Sequence, residues 1–167
     1  DINFNPGIGL SKLLIVKGKL VGMATLLVEH ESNGKSDLDS RSWNRISLGA
    51  NVYITPQVMV HGKCWIPIID GENNKDILDY KGIYETGLQF LSKNKRWGFA
   101  VIATKRKGWN LKFNYTAEVN YRMFKDENQY LFLQFYNGYG ENLLDYKQHQ
   151  TRLRAGIVIK PKFFSNY

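Results

Sequence analysis

The sequence has a single cysteine, Cys64, among 167 residues, which excludes an internal disulfide framework and any metal site built from several thiolates. It has no run of 18 or more apolar residues, so it offers no transmembrane helix. It has no low-complexity linker and no shift in composition, so residues 1–167 read as one domain. No leader segment is visible at Asp1, which implies that an exported protein would be in mature or trimmed form. Two classes remain: a soluble β domain, or a membrane β-barrel, whose short alternating strands escape hydropathy analysis.

What the sequence does have is aromatic residues (14%) and a formal net charge of +8. Such a charge fits a solvated basic surface, an anionic lipid interface or nucleic acid. It also has period-two alternation, the mark of strands. Between residues 109 and 121 the odd positions run Trp109, Leu111, Phe113, Tyr115, Ala117, Val119, Tyr121, and the even ones Asn110, Lys112, Asn114, Thr116, Glu118, Asn120. Ile46, Leu48, Ala50, Val52 and Ile54 form one face of another such segment, against Arg45, Ser47, Gly49, Asn51 and Tyr53.

The pattern predicts about nine strands, near 6–16, 20–32, 42–54, 57–69, 80–92, 96–106, 109–121, 128–137 and 151–160. Most reach the ~9–11 residues that cross a bilayer when tilted, whereas soluble strands average ~5–6. The expected fold class is therefore all-β, an antiparallel transmembrane barrel with its apolar face toward lipid, and with Trp109 and Tyr121 marking two interfacial girdles. Links at 55–56, 93–95 and 122–127 are short, and those at 33–41, 70–79 and 138–150 are long; the link near Lys107–Gly108 is a short exception. The long side is expected to be extracellular. Nine is an odd count for a bacterial barrel, and open edges are not tolerated in lipid, which predicts that strands are missing at the N-terminus.

One segment carries chemistry. In 20–32, Leu20, Gly22, Ala24, Leu26, Val28, His30 and Ser32 share a face, while Glu29 and Glu31 point away. A histidine and a serine two apart on a strand stand side by side, as a general base and its nucleophile must. If the loop 33–41 centres on Asp37, the hairpin pairs His30 with Asn44 and Ser32 with Ser42. Three residues of triad type then converge on an otherwise apolar wall, where polar groups are costly and usually functional. Against this stands a bland alternative: an H-x-S pair arises by chance in many strands, and Ser36–Ser40 reads equally as a solvated turn.

The run His30-Glu31-Ser32-Asn33-Gly34-Lys35-Ser36-Asp37, followed by Ser40-Arg41-Ser42-Trp43-Asn44-Arg45, resembles the signature of the outer-membrane phospholipase A family. The likeness continues through Gly138-Tyr139-Gly140-Glu141, Asp145-Tyr146 and Gln150-Thr151-Arg152. The resemblance implies a twelve-stranded outer-membrane barrel, a Ca²⁺-dependent acyl hydrolase of phospholipids and lysophospholipids that is active as a homodimer, with its site toward the outer leaflet. It implies Ser32 as nucleophile, His30 as base, Asn44 as the orienting partner, and the backbone N–H groups of Ser32 and Gly34 as the oxyanion hole. For calcium it implies the Lys35 main chain and Ser40, with Asp37 at a second site. A further acid of the family falls near Glu72–Asn73, and a ligand given by the dimer partner falls upstream of Asp1. A membrane-embedded enzyme of this kind has no nucleic-acid partner. Rival readings are a lipid A deacylase, with an acidic residue in place of Asn44, a passive pore, and a soluble basic binding module.

Overall fold

The computed structural model describes residues 2–68, 71–124 and 128–160. It contains one antiparallel sheet of nine strands in sequence order: β1 (Gly7–Val16), β2 (Lys19–Ser32), β3 (Ser42–Tyr53), β4 (Val58–Ile68), β5 (Tyr84–Leu91), β6 (Trp97–Lys105), β7 (Phe113–Arg122), β8 (Gln129–Gly138) and β9 (Gln150–Ile159). Each strand pairs with its sequence neighbours, and β1 and β9 are the edges. Residue 69, at the end of the fourth predicted strand, residue 70, at the start of the link predicted at 70–79, and residues 125–127, within the link 122–127, lie outside the described residues.

The burial of the two faces is inverted relative to a water-soluble protein. Leu26, Val28, Leu48, Leu88, Val101, Leu133 and Ile157 are exposed, whereas Glu29, Ser47, Asn51, Lys105, Glu118 and Asn120 are buried. Apolar side chains on the open face and polar ones within the curve are what a membrane barrel wall requires and what a soluble barrel would reverse. The buried polar groups satisfy one another, as they must where water is scarce: Glu118 accepts from Asn120 Nδ2 (2.8 Å), Gln134 Nε2 (2.9 Å) and Lys160 Nζ (3.0 Å).

Two predicted strands begin later than their patterns suggested. The strand expected over 80–92 starts at Tyr84, because Leu78–Lys81 forms a helical turn. Ile77 and Tyr146 pack with Trp43 and Leu143 in a dry cluster, and Leu78 and Tyr80 lie against it. Burying apolar side chains here outweighs extending the strand. The strand expected over 109–121 starts at Phe113. Gly108 takes a left-handed φ of +102°, and Lys105 Nζ bonds the carbonyls of Arg106 and Gly108, turning the chain into a loop. Trp109 is consequently fully exposed, Leu111 is exposed beside it, and Lys112 stands in solvent rather than in the lumen. The expected girdle partner of Tyr121 is therefore not Trp109. On this face Phe113 and Tyr115 are in contact (5.9 Å) at the Trp109 end, and at the opposite end Trp97 lies 4.8 Å from Tyr121 and 6.4 Å from Phe99. The 106–112 link also joins the long-loop end, so short turns (17–18, 54–57, 92–96) and long loops occupy opposite ends of the sheet.

If this face meets hydrocarbon, Leu48→Arg, in the middle of β3, destabilises the folded protein by ~2–4 kcal/mol. Urea unfolding in lipid vesicles reads this directly. An unchanged midpoint would place Leu48 away from lipid.

Candidate active site

The β2–β3 pairing builds the site. His30 lies opposite Asn44, Glu29 opposite Arg45, Glu31 opposite Trp43 and Ser32 opposite Ser42. His30 Nδ1 and Asn44 Oδ1 are 2.8 Å apart. An amide oxygen can only accept, so Nδ1 carries the proton and the lone pair of neutral His30 lies on Nε2, the nitrogen a base needs. His30, Ser32 and Asn44 are each half-buried on the apolar face. The Ser32 hydroxyl and His30 are neighbours along that face without a hydrogen bond between them, a common looseness in unliganded sites.

The opposite face of the same two strands carries a buried ionic network. Arg45 binds Glu29 through Nε (3.1 Å) and Nη2 (3.2 Å), and Glu31 through Nη1 (3.2 Å). Lys63 reaches Glu29 at 2.9 Å and Lys81 reaches Glu31 at 2.5 Å. Trp43 Nε1 donates to Glu31 at 3.1 Å, Ser47 donates to Glu29, and the Arg45 guanidinium lies 4.6 Å from the Trp43 ring. This network locks, from behind, the backbone that presents His30 and Asn44 in front.

The two expected oxyanion donors differ. Phe4 and Ser32 form a β-bridge, with Phe4 N–H to Ser32 O at 2.7 Å and Ser32 N–H to Phe4 O at 2.9 Å, so the Ser32 amide is engaged here. The Gly34 amide makes no hydrogen bond among the described residues. Gly34 has φ +66° with the Phe4 ring 3.0 Å from where a Cβ would stand, which glycine alone tolerates without strain.

The loop 33–41 is organised by asparagines. Buried Asn33 donates to Asp39 O (2.8 Å) and accepts from the amides of Arg41 (3.0 Å) and Lys35 (3.4 Å). From the next long loop, Asn74 is fully buried and binds the main chain of Ser42, with Nδ2 to O at 2.7 Å and Oδ1 from N at 3.4 Å. Asn73, at the position where the family resemblance implied an acid, donates to Asp37 O at 3.0 Å. A polar residue in a loop has no periodicity to reveal it, and only the H-bond partners disclose these roles.

Among the described residues no group of three or more His, Cys, Asp or Glu is placed to hold a metal. The loop does offer oxygen donors. The Lys35 carbonyl accepts no hydrogen bond among the described residues, Ser40 Oγ is half-buried, and the Asp37 carboxylate is exposed on a residue with φ +52°. An all-oxygen set of carbonyl, hydroxyl and carboxylate suits a hard cation such as Ca²⁺.

The long loops are tied together over this end. Tyr146 Oη donates to Asp76 Oδ1 (2.5 Å) and Lys147 Nζ lies 2.7 Å from Asp76 Oδ2. Burial opposes ionisation of Asp76, but the bonds from Lys147 and Tyr146 prevail and hold its carboxyl below the usual range. Burial, then the Asp76 bond, pushes the Tyr146 phenol up to about 12. A depressed carboxyl contributes stability that is present above its unfolded value and is lost as pH falls through the folded one. Loop protection measured by hydrogen exchange at Tyr146 therefore falls only at pH values below the ordinary carboxylate range, and Asp76→Asn removes that dependence. Asn74→Ala leaves the Ser42 main chain unpartnered in a buried place, a loss of about 1–3 kcal/mol. Limited proteolysis within 33–41 should accelerate accordingly, and a cleavage rate equal to wild type would remove Asn74 from the clasp.

Against known proteins, the phospholipase A1 family profile matches residues 1–159. Phospholipase A1 of Salmonella typhimurium is 34% identical over 135 residues, covering 80% of this chain and 44% of the relative. Phospholipase A1 of Escherichia coli K12 is 33% identical over the same shares. The chain thus spans less than half the length of these curated relatives. The outer membrane phospholipase A structure from Escherichia coli superposes with a TM-score of 0.81 at 27% identity, over 96% of this chain and 65% of that one. A Salmonella typhi outer membrane phospholipase dimer with bound calcium gives a TM-score of 0.81 at 27% identity, over 95% and 60%. With the family profile running from the first residue to the end of β9, this chain belongs to the phospholipase A1 family.

Proposed function

We propose that this protein hydrolyses acyl esters of phospholipids and lysophospholipids at the lipid-facing end of β2 and β3. The observation that carries the reading is the 2.8 Å bond from His30 Nδ1 to Asn44 Oδ1 on an otherwise apolar face, two residues from Ser32. A solved Escherichia coli relative is an active-site asparagine-to-alanine variant, which supports an asparagine in this chemistry.

His30 Nε2 takes the proton of Ser32 Oγ as the hydroxyl attacks the ester carbonyl. Asn44 holds the imidazole in the tautomer that leaves Nε2 free and steadies the imidazolium that forms. The Gly34 amide donates to the developing oxyanion. The Phe4 carbonyl occupies the place of a second acceptor at the Ser32 amide, so the ester oxygen would take its position as Phe4 withdraws. His30 returns the proton to the leaving alcohol. It then deprotonates a water that cleaves the acyl-enzyme and regenerates Ser32. An amide third member suits a lipid-facing site, because it orients the base without placing a permanent charge against hydrocarbon.

Calcium would be held by the Lys35 carbonyl and Ser40 Oγ, with Asp37 at a second site. When bound it supplies positive charge beside the oxyanion. A second copy of the chain would complete the acyl-chain cleft against the apolar wall, in keeping with the calcium-bound dimer of the Salmonella typhi relative. The long-loop end would face the outer leaflet of a bacterial outer membrane.

The expected order of lysophospholipid hydrolysis at saturating calcium is wild type, Asn44→Asp, Asn44→Ala, then Ser32→Ala at background, with the barrel folded throughout. A sulfonyl fluoride labels Ser32, and chelation abolishes turnover. An active Ser32→Ala protein, or labelling at another residue, would sink the assignment. Full turnover in excess chelator removes calcium from it.

A further inference from the structure

The short-turn end of the wall has a chemistry that hydrolysis does not use. The β5–β6 turn presents Lys93, Lys95 and Arg96, all exposed. None of the three has an ion-pair partner among the described residues. The turn satisfies its own polar groups. Lys95 N–H donates to Ser92 O (2.8 Å), Ser92 Oγ bonds Asn94 Oδ1 (2.7 Å), Arg96 N–H donates to Asn94 Oδ1 (3.1 Å) and Trp97 N–H donates to Ser92 Oγ (3.0 Å). The turn is therefore pre-shaped, with its cations directed outward rather than used in holding it.

A second observation stands directly above these charges. On the lipid face, Trp97 packs 4.8 Å from Tyr121 and stacks at 6.4 Å on Phe99, which lies 6.2 Å from Phe90. Aromatic rings at strand ends sit at headgroup depth, so this cluster sets the three cations at the level of lipid phosphates. The first hairpin adds exposed Lys17 and Lys19 to the same end. No acidic residue lies in the turns 17–18, 54–57 or 92–96; the remaining short link carries Asp126 and Glu127 in its sequence, at positions outside the described residues. Glu118, the described carboxylate facing this half of the lumen, is buried and bonded to Lys160, Asn120 and Gln134.

We infer that Lys93, Lys95 and Arg96, held at headgroup level by the Trp97–Tyr121–Phe99 cluster, form a docking surface for acidic glycerophospholipids of the leaflet at the short-turn end. A net-negative headgroup complements three exposed cations that have no ion-pair partner among the described residues, whereas a zwitterionic one carries its own compensating charge. The surface faces the leaflet opposite the candidate active site, so it anchors and orients the wall rather than binding substrate.

Trp97 reports on its own neighbours. Full-length protein carrying Trp109→Phe is placed in nanodiscs of phosphatidylethanolamine containing acyl-brominated phosphatidylglycerol, brominated phosphatidylethanolamine or brominated lipid A at equal fraction. Trp97→Phe supplies the background from Trp43 and Trp65. Phosphatidylglycerol should quench Trp97 preferentially, and the preference should shrink by about fivefold per charge removed in Lys93→Gln, Lys95→Gln and Arg96→Gln. In the unmodified turn it should also shrink as salt is raised, a reading that needs no variant to insert. Equal quenching by phosphatidylglycerol and phosphatidylethanolamine, or a preference insensitive to salt, would overturn the proposal. Preferred quenching by lipid A would also overturn it, by placing this rim in the other leaflet.

Discussion

The single register in which β2 pairs with β3 is the constraint on which the rest of the wall depends. Side chains alternate with a period of two, so a slip of β2 by one residue would turn Glu29 and Glu31 toward lipid, away from Arg45, and carry His30 into the lumen. The ionic network is what makes that slip prohibitive. Breaking a buried pair by losing one partner costs about 3–5 kcal/mol, and here Arg45 serves two carboxylates at once while Lys63 and Lys81 serve one each. The lumen side thus specifies the register, and the opposite side inherits a fixed opposition of His30 to Asn44.

That division explains how the candidate triad, His30, Ser32 and Asn44, can be held on a face with few polar neighbours. A triad in a soluble enzyme is held by groups surrounding it. Here the support comes through the backbone, from residues one position away pointing in the opposite direction. The remaining support comes from above. Asn33 closes the loop 33–41 on itself, and Asn73 and Asn74 clasp it from the next loop. Trp43, Ile77, Leu143 and Tyr146 then bury the one dry core among the described residues. Trp43 belongs to both systems, giving its ring to this core and its Nε1–H to Glu31.

The two ends of the wall differ in chemistry. The long-loop end mixes both signs of charge, with ion pairs such as Lys147–Asp76 and Arg152–Glu141. Its loops are bound to one another. The short-turn end is basic in its described turns, has internal hydrogen bonds within the 92–96 turn, and is bordered by aromatic rings on the lipid side.

Alternation by itself determined the number and order of the strands, and loop length determined the pairing of His30 with Asn44, because both follow from the fixed geometry of an extended chain. The motif from His30 to Arg45 carried the family. Alternation did not say which face was buried, since a soluble and a membrane barrel share it. Only the folded structure decided that, by placing Glu118 and Asn120 inside and Leu48 and Leu88 outside. Alternation also overran the true strand starts at Tyr84 and Phe113. There, packing of Ile77 and Leu78 in the loop core and the left-handed Gly108 overrode a pattern that would have suited a strand. The engagement of the Ser32 amide by Phe4 and the clasp of Asn74 on Ser42 were likewise tertiary decisions. Each joins residues far apart in the chain, Phe4 to Ser32 through main-chain hydrogen bonds and Asn74 to Ser42 through a side-chain amide on the main chain, and no periodic pattern announces either.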